Sequence, residues 1–113
     1  MSIIYKIVPE TLWREAEASG LFAGAPVDLA DGYIHFSTAA QARETAAKHF
    51  AGQDGLLLAA VETEALGPAL RWEVSRGGAL FPHLYGPLAL ACVRSVAPLP
   101  LGPGGAHLFP ELV

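Results

Sequence analysis

Apolar residues recur along this chain at spacings that predict particular elements. The isoleucine-rich alternation of Ser2 to Val8 predicts a strand, with Tyr5 on one face and Lys6 on the other. From Pro9 to Gly20 the spacing becomes that of a helix, because Leu12, Trp13 and Ala16 form an apolar stripe. The chain is therefore predicted to begin with a strand followed by a helix.

A second helix and a buried strand are predicted in the middle of the chain. Thr38 and Gln41 have the spacing of a capping box, which predicts a helix running to about Phe50. The continuous apolar run from Leu56 to Val61 is typical of a central strand covered on both faces. Two more strands are predicted, one from Leu70 to Val74 with Leu70, Trp72 and Val74 on its buried face, and one over residues 88–96.

The remaining segments contain many glycines and prolines and predict loops. Residues 21–31 are predicted to form an ordered loop, and residues 98–113 a loop-rich C-terminal tail. Two early helices and several later strands predict a single α+β domain over residues 1–113, with a mixed or antiparallel sheet.

Composition narrows the classes of partner. The 113 residues are 52% hydrophobic and 16% charged, which is enough apolar material for a packed core. The net charge is −4 and the seven basic residues are scattered singly, so we expect no extended nucleic-acid partner. One or two arginines remain available for the phosphates of a small ligand.

The single cysteine, Cys92, excludes an internal disulfide and provides no zinc-ligand spacing. No signal-peptide pattern is seen at the N-terminus, and no apolar stretch approaches the roughly 20 residues that span a bilayer. We therefore expect a cytoplasmic protein without a membrane partner.

Two short blocks, residues 31–38 and 77–88, each place a histidine near a tyrosine in a glycine-bounded apolar run. If Tyr33 to Ser37 is a strand, then Tyr33, His35 and Ser37 lie on one face and offer three polar groups in a row. This is the pattern expected for the floor of a binding cleft. In the second block, prolines and glycines restrict the backbone around His83 and Tyr85, as a binding site or a structural turn requires.

Each candidate residue also has a structural interpretation. His35 fits a buried histidine bonded to the backbone as well as a ligand contact, and Ser37 fits a helix cap. Glu73 fits an exposed carboxylate paired with Arg71 or Arg76, or a general base at the cleft. No metal-ligand spacing and no nucleophile elbow is present, so we expect neither a metal site nor a serine-type triad.

The two blocks together resemble a known family. The motifs that carry the resemblance are Ile4-Tyr5-Lys6-Ile7, Trp13, Asp31-Gly32-Tyr33-Ile34-His35-Phe36-Ser37-Thr38 with Gln41, Leu70-Arg71-Trp72-Glu73, and Phe81-Pro82-His83-Leu84-Tyr85-Gly86-Pro87-Leu88. On these motifs the chain is similar, nearly end to end, to the small bacterial proteins of the domain-of-unknown-function 952 family.

The resemblance implies a fold rather than an activity. The family is grouped by fold with ADP-ribosyltransferases and RNA 2′-phosphotransferases, whose split α+β sheet forms a nicotinamide-nucleotide cleft. By position, the resemblance implies roles for Lys6 or its neighbour Tyr5, for the His35 and Ser37 pair, and for His83 or Glu73. Some family members carry histidine where this chain has Lys6, but a lysine can hold a phosphate as a point charge.

Three functions follow from these observations. The first is a cleft that binds a nucleotide such as NAD or ADP-ribose. The second is an ADP-ribosyl- or phosphotransferase that uses NAD as its cofactor, and the third is a non-catalytic interaction protein. The catalytic candidates are His35, His83 and Glu73. The ligand-binding candidates are Lys6, Tyr33, Ser37, Tyr85 and Arg76.

Overall fold

Three helices and a set of antiparallel strands form the protein, as seen in a computed structural model that describes residues 2–112, without the side chain of Arg76. The helices are α1 (Glu10–Ser19), α2 (Pro26–Asp31) and α3 (Ala39–His49). The strands are β1 (Ile3–Pro9), β2 (Leu21–Phe22), β3 (Ile34–His35), β4 (Leu56–Glu62), β5 (Leu70–Val74), β6 (Leu80–Leu84), β7 (Leu88–Ala89) and β8 (Val93–Leu99).

The strands form a sheet that is split in two. One half has the order β1-β4-β8 and the other β3-β6-β5, while β2 and β7 pair separately. An isolated bridge joins the halves, because Tyr5 N donates to Ser37 O at 2.7 Å and Ser37 N donates to Tyr5 O at 2.9 Å. Every strand pair among the described residues is antiparallel, which confirms the α+β class and the antiparallel form of the sheet.

The core lies on both faces of the β1-β4-β8 half. Residues 56–61 of β4 are all buried between β1 and β8, as the continuous apolar run predicted. Trp13 of α1 belongs to the apolar cluster on one face, and Ala46 of α3 belongs to the cluster on the other. No helix in the described part of the chain is long and apolar enough to cross a membrane.

Residues 21–31, predicted to be a loop, instead contain β2 and the short helix α2. Pro26 is the first residue of α2, where its restricted φ suits a helix and its missing N–H costs no hydrogen bond. The Asp28 carboxylate accepts a hydrogen bond from Ala25 N at 2.8 Å and so closes the first turn. Gly32, at φ 87°, ends the helix in a left-handed conformation.

Two strand predictions were wrong in detail. Residues 88–96 are not one strand, because a 3₁₀ turn over Leu90–Cys92 separates β7 from β8. Pro98 belongs to β8 rather than to the tail, and it is tolerated there because β8 is an edge strand of its half-sheet.

The predicted buried face of β5 is covered only at Leu70, which is half-buried and packs against the core. Trp72 is 45% exposed and Val74 is 71% exposed, although both were predicted to be buried. Glu73 lies instead on the face that meets His83. The alternation alone could not show which face of this edge strand would be covered.

Candidate functional site

Tyr33, His35, His83 and Tyr85 form one aromatic cluster, so the structure brings the two sequence blocks together. The Tyr33 ring centroid lies 4.1 Å from that of His83, 4.6 Å from that of His35 and 5.2 Å from that of Tyr85. The two histidine centroids are 5.5 Å apart. These distances place all four side chains within reach of one small ligand.

Strand pairing creates this cluster. His35 of β3 lies directly opposite His83 of β6 in the antiparallel register, so both side chains project to the same face. The strand β3 is shorter than predicted and covers only Ile34 and His35, but Ser37 continues the line through its bridge to β1. The register therefore brings together residues that are 48 positions apart in sequence.

A cavity of about 430 Å³ opens beside the cluster. Its polar lining includes Lys6, Asp31, Tyr33, His35, Ser37 and His83. Thr45, His49 and Phe50 form the wall on the α3 side, so the cavity lies where the two half-sheets meet the helix. Its volume falls in the range of small-ligand sites, roughly 300–1,000 Å³.

His35 is held between two carboxylates. Its Nδ1 lies 2.6 Å from Asp28 Oδ1, and its Nε2 lies 2.9 Å from Asp31 Oδ2. Carboxylate oxygens only accept hydrogen bonds, so a ring that carries a proton on both nitrogens satisfies both contacts. Asp31 is thereby held at the cavity wall by the ring of His35.

Lys6 and Asp28 form a buried ion pair behind His35. The exposed fractions of Lys6 and Asp28 are 4% and 2%. Lys6 Nζ lies 3.0 Å from Asp28 Oδ1 and 2.9 Å from Asp28 Oδ2. A connected series of side-chain contacts therefore runs from Lys6 through Asp28 and His35 to Asp31 at the cavity wall.

The partners of Asp28 stabilise its ionised form. Burial by itself would raise the pKa of Asp28, but the His35 hydrogen bond, the Lys6 charge and the Ala25 N–H outweigh burial and lower this pKa to about 2. Burial lowers the pKa of Lys6, and the Asp28 charge opposes that shift.

We expect Asp28 to stabilise the fold above pH 4 and to lose this contribution as the pH falls towards 2. A carboxyl whose pKa drops from 3.8 to about 2 on folding contributes about 2 kcal/mol at neutral pH, since each pKa unit is worth about 1.4 kcal/mol. Carboxyl ¹³C chemical shifts, followed through an acid titration, should give Asp28 a midpoint near 2. A midpoint near 4 would contradict the ionic arrangement.

His83 is held by a carboxylate of its own. Its Nδ1 lies 2.8 Å from Glu73 Oε1, and the Tyr85 hydroxyl donates to the same oxygen at 2.7 Å. The bonds from His83 and Tyr85 lower the pKa of Glu73, and the bond to Glu73 raises the pKa of Tyr85. A neutral His83 that donates from Nδ1 keeps its lone pair on Nε2, which is the form of a general base.

Of the other predicted site residues, Ser37 and Lys6 line the cavity but are bonded to other side chains. Ser37 Oγ lies 2.8 Å from Thr45 Oγ1, so its hydroxyl bonds across to α3. The Lys6 amine bonds to Asp28, as described above, so it does not stand in the cavity as an isolated charge. Glu73 bonds to His83, which lines the cavity, but Glu73 itself is not among the residues of the cavity wall. The side chain of Arg76 lies outside the described part of the structure.

Asp28, Asp31 and Arg71 are site residues that the sequence did not single out. The two aspartates lie in the segment predicted to be a loop. Arg71, predicted to pair with Glu73, does help to lower the pKa of Glu73, and its guanidinium also lies 4.8 Å from the centroid of the Tyr85 ring. One signal for Asp28 was present, since a lysine within an isoleucine-rich strand requires a buried partner. Within residues 2–112, no group of three or more histidine, cysteine or acidic side chains is arranged to hold a metal ion.

Comparisons with known proteins agree with the motifs. A family model described as a protein of unknown function, DUF952, matches residues 7–96. The crystal structure of protein CC0527 from Caulobacter crescentus superimposes with a TM-score of 0.92 and 53% sequence identity, over 95% of this chain and 94% of that one. The solution NMR structure of CC0527 gives a TM-score of 0.85 and 55% identity, over 94% of this chain and 91% of that one. None of the curated proteins compared with the chain matches it. The chain therefore belongs to the DUF952 family of proteins of unknown function.

Proposed function

We propose that the cavity binds a nucleotide, with NAD and ADP-ribose as the first candidates. The observation that carries this proposal is the position of Tyr33, whose ring lines a cavity of about 430 Å³ together with His35, His83 and Asp31. An aromatic ring beside hydrogen-bonding side chains is what a base and its ribose require. Stacking on such a ring contributes roughly 1–3 kcal/mol per base.

The polar groups suit ribose better than phosphate. Asp31 is held by His35 through one oxygen, and its carboxylate has further lone pairs for a ribose hydroxyl. The cavity suits one nucleoside of a dinucleotide, with the remainder reaching the surface. Arg71, whose guanidinium lies over the ring of Tyr85 in the aromatic cluster, supplies a cation for a phosphate outside the cavity.

Histidine-selective NMR provides the test of binding. We expect saturable shifts of His35 and His83 together when NAD or ADP-ribose is added, because the two rings share one cluster. His107, which bonds to Gln53 O in the C-terminal loop, should not shift and serves as an internal control. No shift of His35 or His83 at millimolar ligand would exclude nucleotide binding and favour an interaction protein.

A second candidate function is ADP-ribosyl transfer, which the pairing of His83 with Glu73 favours. In this reaction the bond between ribose C1′ and nicotinamide nitrogen breaks, and nicotinamide leaves with the electron pair. As this bond breaks, an acceptor oxygen adds to the oxocarbenium-like carbon and passes its proton to His83 Nε2, so nicotinamide release depends on this base. A cytoplasmic location, where NAD is available, forms part of this proposal.

We expect Glu73→Gln to separate transfer from binding. Glutamine preserves the shape of the side chain but removes the charge that stabilises a protonated His83, so nicotinamide release should fall by about 10²–10⁴-fold, the usual size of a general-base contribution. The Kd for ADP-ribose should change little. Nicotinamide release and the Kd are measured on the same samples, and an unchanged rate would remove His83 and Glu73 from the catalytic role.

A further inference from the structure

The strand β5 has an unpaired edge. It pairs with β6 on one side, and no described strand pairs with its other side. Trp72 and Val74 on this strand, with Leu80 opposite Val74 on β6, are exposed by 45%, 71% and 52%. An edge strand beside apolar side chains is a template for pairing with another chain.

The hydrogen bonds made by the residues just before and just after β5 show which backbone groups of the strand point away from β6. Ser75 N donates to Ala79 O, and Tyr85 N donates to Ala69 O, so odd-numbered residues of β5 bond to β6. Pro82, opposite Trp72, turns its carbonyl away from β5 to accept from Phe36 N. The N–H and C=O groups of Leu70, Trp72 and Val74 therefore face the free edge.

We propose that two copies of this chain pair through β5, antiparallel and around a two-fold axis at Trp72. In this register Leu70 faces the partner's Val74, and Trp72 faces the partner's Trp72. The outward backbone groups of the two strands then satisfy each other. The resulting sheet is continuous across the dimer, with the same surface used by both subunits.

Charge complementarity indicates that the strand pairing with the free edge of β5 comes from a second copy of this chain. Arg71 faces the partner's Glu73 in this register, and Glu73 faces the partner's Arg71, so two opposite-charge pairs form across the axis. Like charges directly opposite would oppose pairing, and opposite charges support it. The sequence Leu70-Arg71-Trp72-Glu73-Val74 is thus complementary to its own reverse.

The same pairing also changes the charges next to the aromatic cluster. Glu73 Oε1 already bonds to His83 and Tyr85, and its second oxygen remains for the partner's Arg71. The dimer therefore places the partner's Arg71 beside Glu73, next to an aromatic cluster that already has the subunit's own Arg71 over Tyr85. This inference concerns assembly and stands independently of whether the cleft binds a nucleotide.

Sedimentation velocity over a broad concentration series tests the pairing through a charge exchange. We expect the wild-type protein to reach the dimer mass, and Arg71→Glu and Glu73→Arg each to remain monomeric at the same concentrations, because like charges then face each other. The variant that combines Arg71→Glu with Glu73→Arg should recover the dimer. A wild-type protein that stays monomeric, or single variants that dimerise as it does, would overturn the proposal.

A backbone variant makes the test independent of these two side chains. Val74→Pro removes an outward N–H and leaves the hydrogen bonds between β5 and β6 in place, so it should weaken the dimer while circular dichroism stays unchanged. A folded Val74→Pro variant that dimerises like wild type would also count against pairing through this edge.

Discussion

Asp28→Asn is expected to lower the free energy of unfolding by about 3–5 kcal/mol, the usual cost of removing one partner of a buried ion pair. The substitution preserves the size of the side chain but leaves the ammonium of Lys6 buried without a compensating charge. It also removes the negative partner of His35 Nδ1. Since small domains are stable by only about 5–15 kcal/mol, this loss is a large part of the total.

Urea denaturation of three variants distinguishes the cost of an unpaired buried charge from other effects on the free energy of unfolding. Combining Lys6→Met with Asp28→Asn removes the charge that lacks a partner, and this variant should recover much of the stability lost in Asp28→Asn. Asp31→Asn is the matched control, because Asp31 is exposed and its loss should cost less than about 1 kcal/mol. If Asp28→Asn were no more costly than Asp31→Asn, the buried pair would not stabilise this fold.

Tyr33→Ala is expected to weaken nucleotide binding by about 5- to 150-fold, which corresponds to the roughly 1–3 kcal/mol of one stacked base. The loss follows from the position of Tyr33 in the cavity wall and from its contacts with both histidine rings. Removing the ring takes away the stacking surface and loosens His35 and His83 together.

Isothermal titration with ADP-ribose measures this loss. Tyr33→Phe keeps the aromatic face and should bind within a fewfold of wild type. Leu108→Ala removes an exposed apolar side chain that lies outside the cavity wall and should leave the Kd unchanged. Equal affinities of Tyr33→Ala and wild type would place the ligand elsewhere and reject the stacking model.

The sequence by itself determined the elements whose signal is local. The capping box of Thr38 and Gln41 predicted the start of α3, and the apolar run of β4 predicted a strand buried on both faces. The period of two also placed Tyr33, His35 and Ser37 on one side of the chain, where all three line the cavity. These features depend on neighbouring residues and on backbone geometry, so a single sequence contains them.

Only the tertiary structure decided which distant groups meet. The pairing of Lys6 with Asp28, and of His83 with Glu73, depends on strand register and on the short helix α2. The exposed face of β5 depends on its place at the edge of the sheet. Periodicity along a chain is symmetric between the two faces of a strand, so contacts from other elements determine which face is buried and which charges find partners.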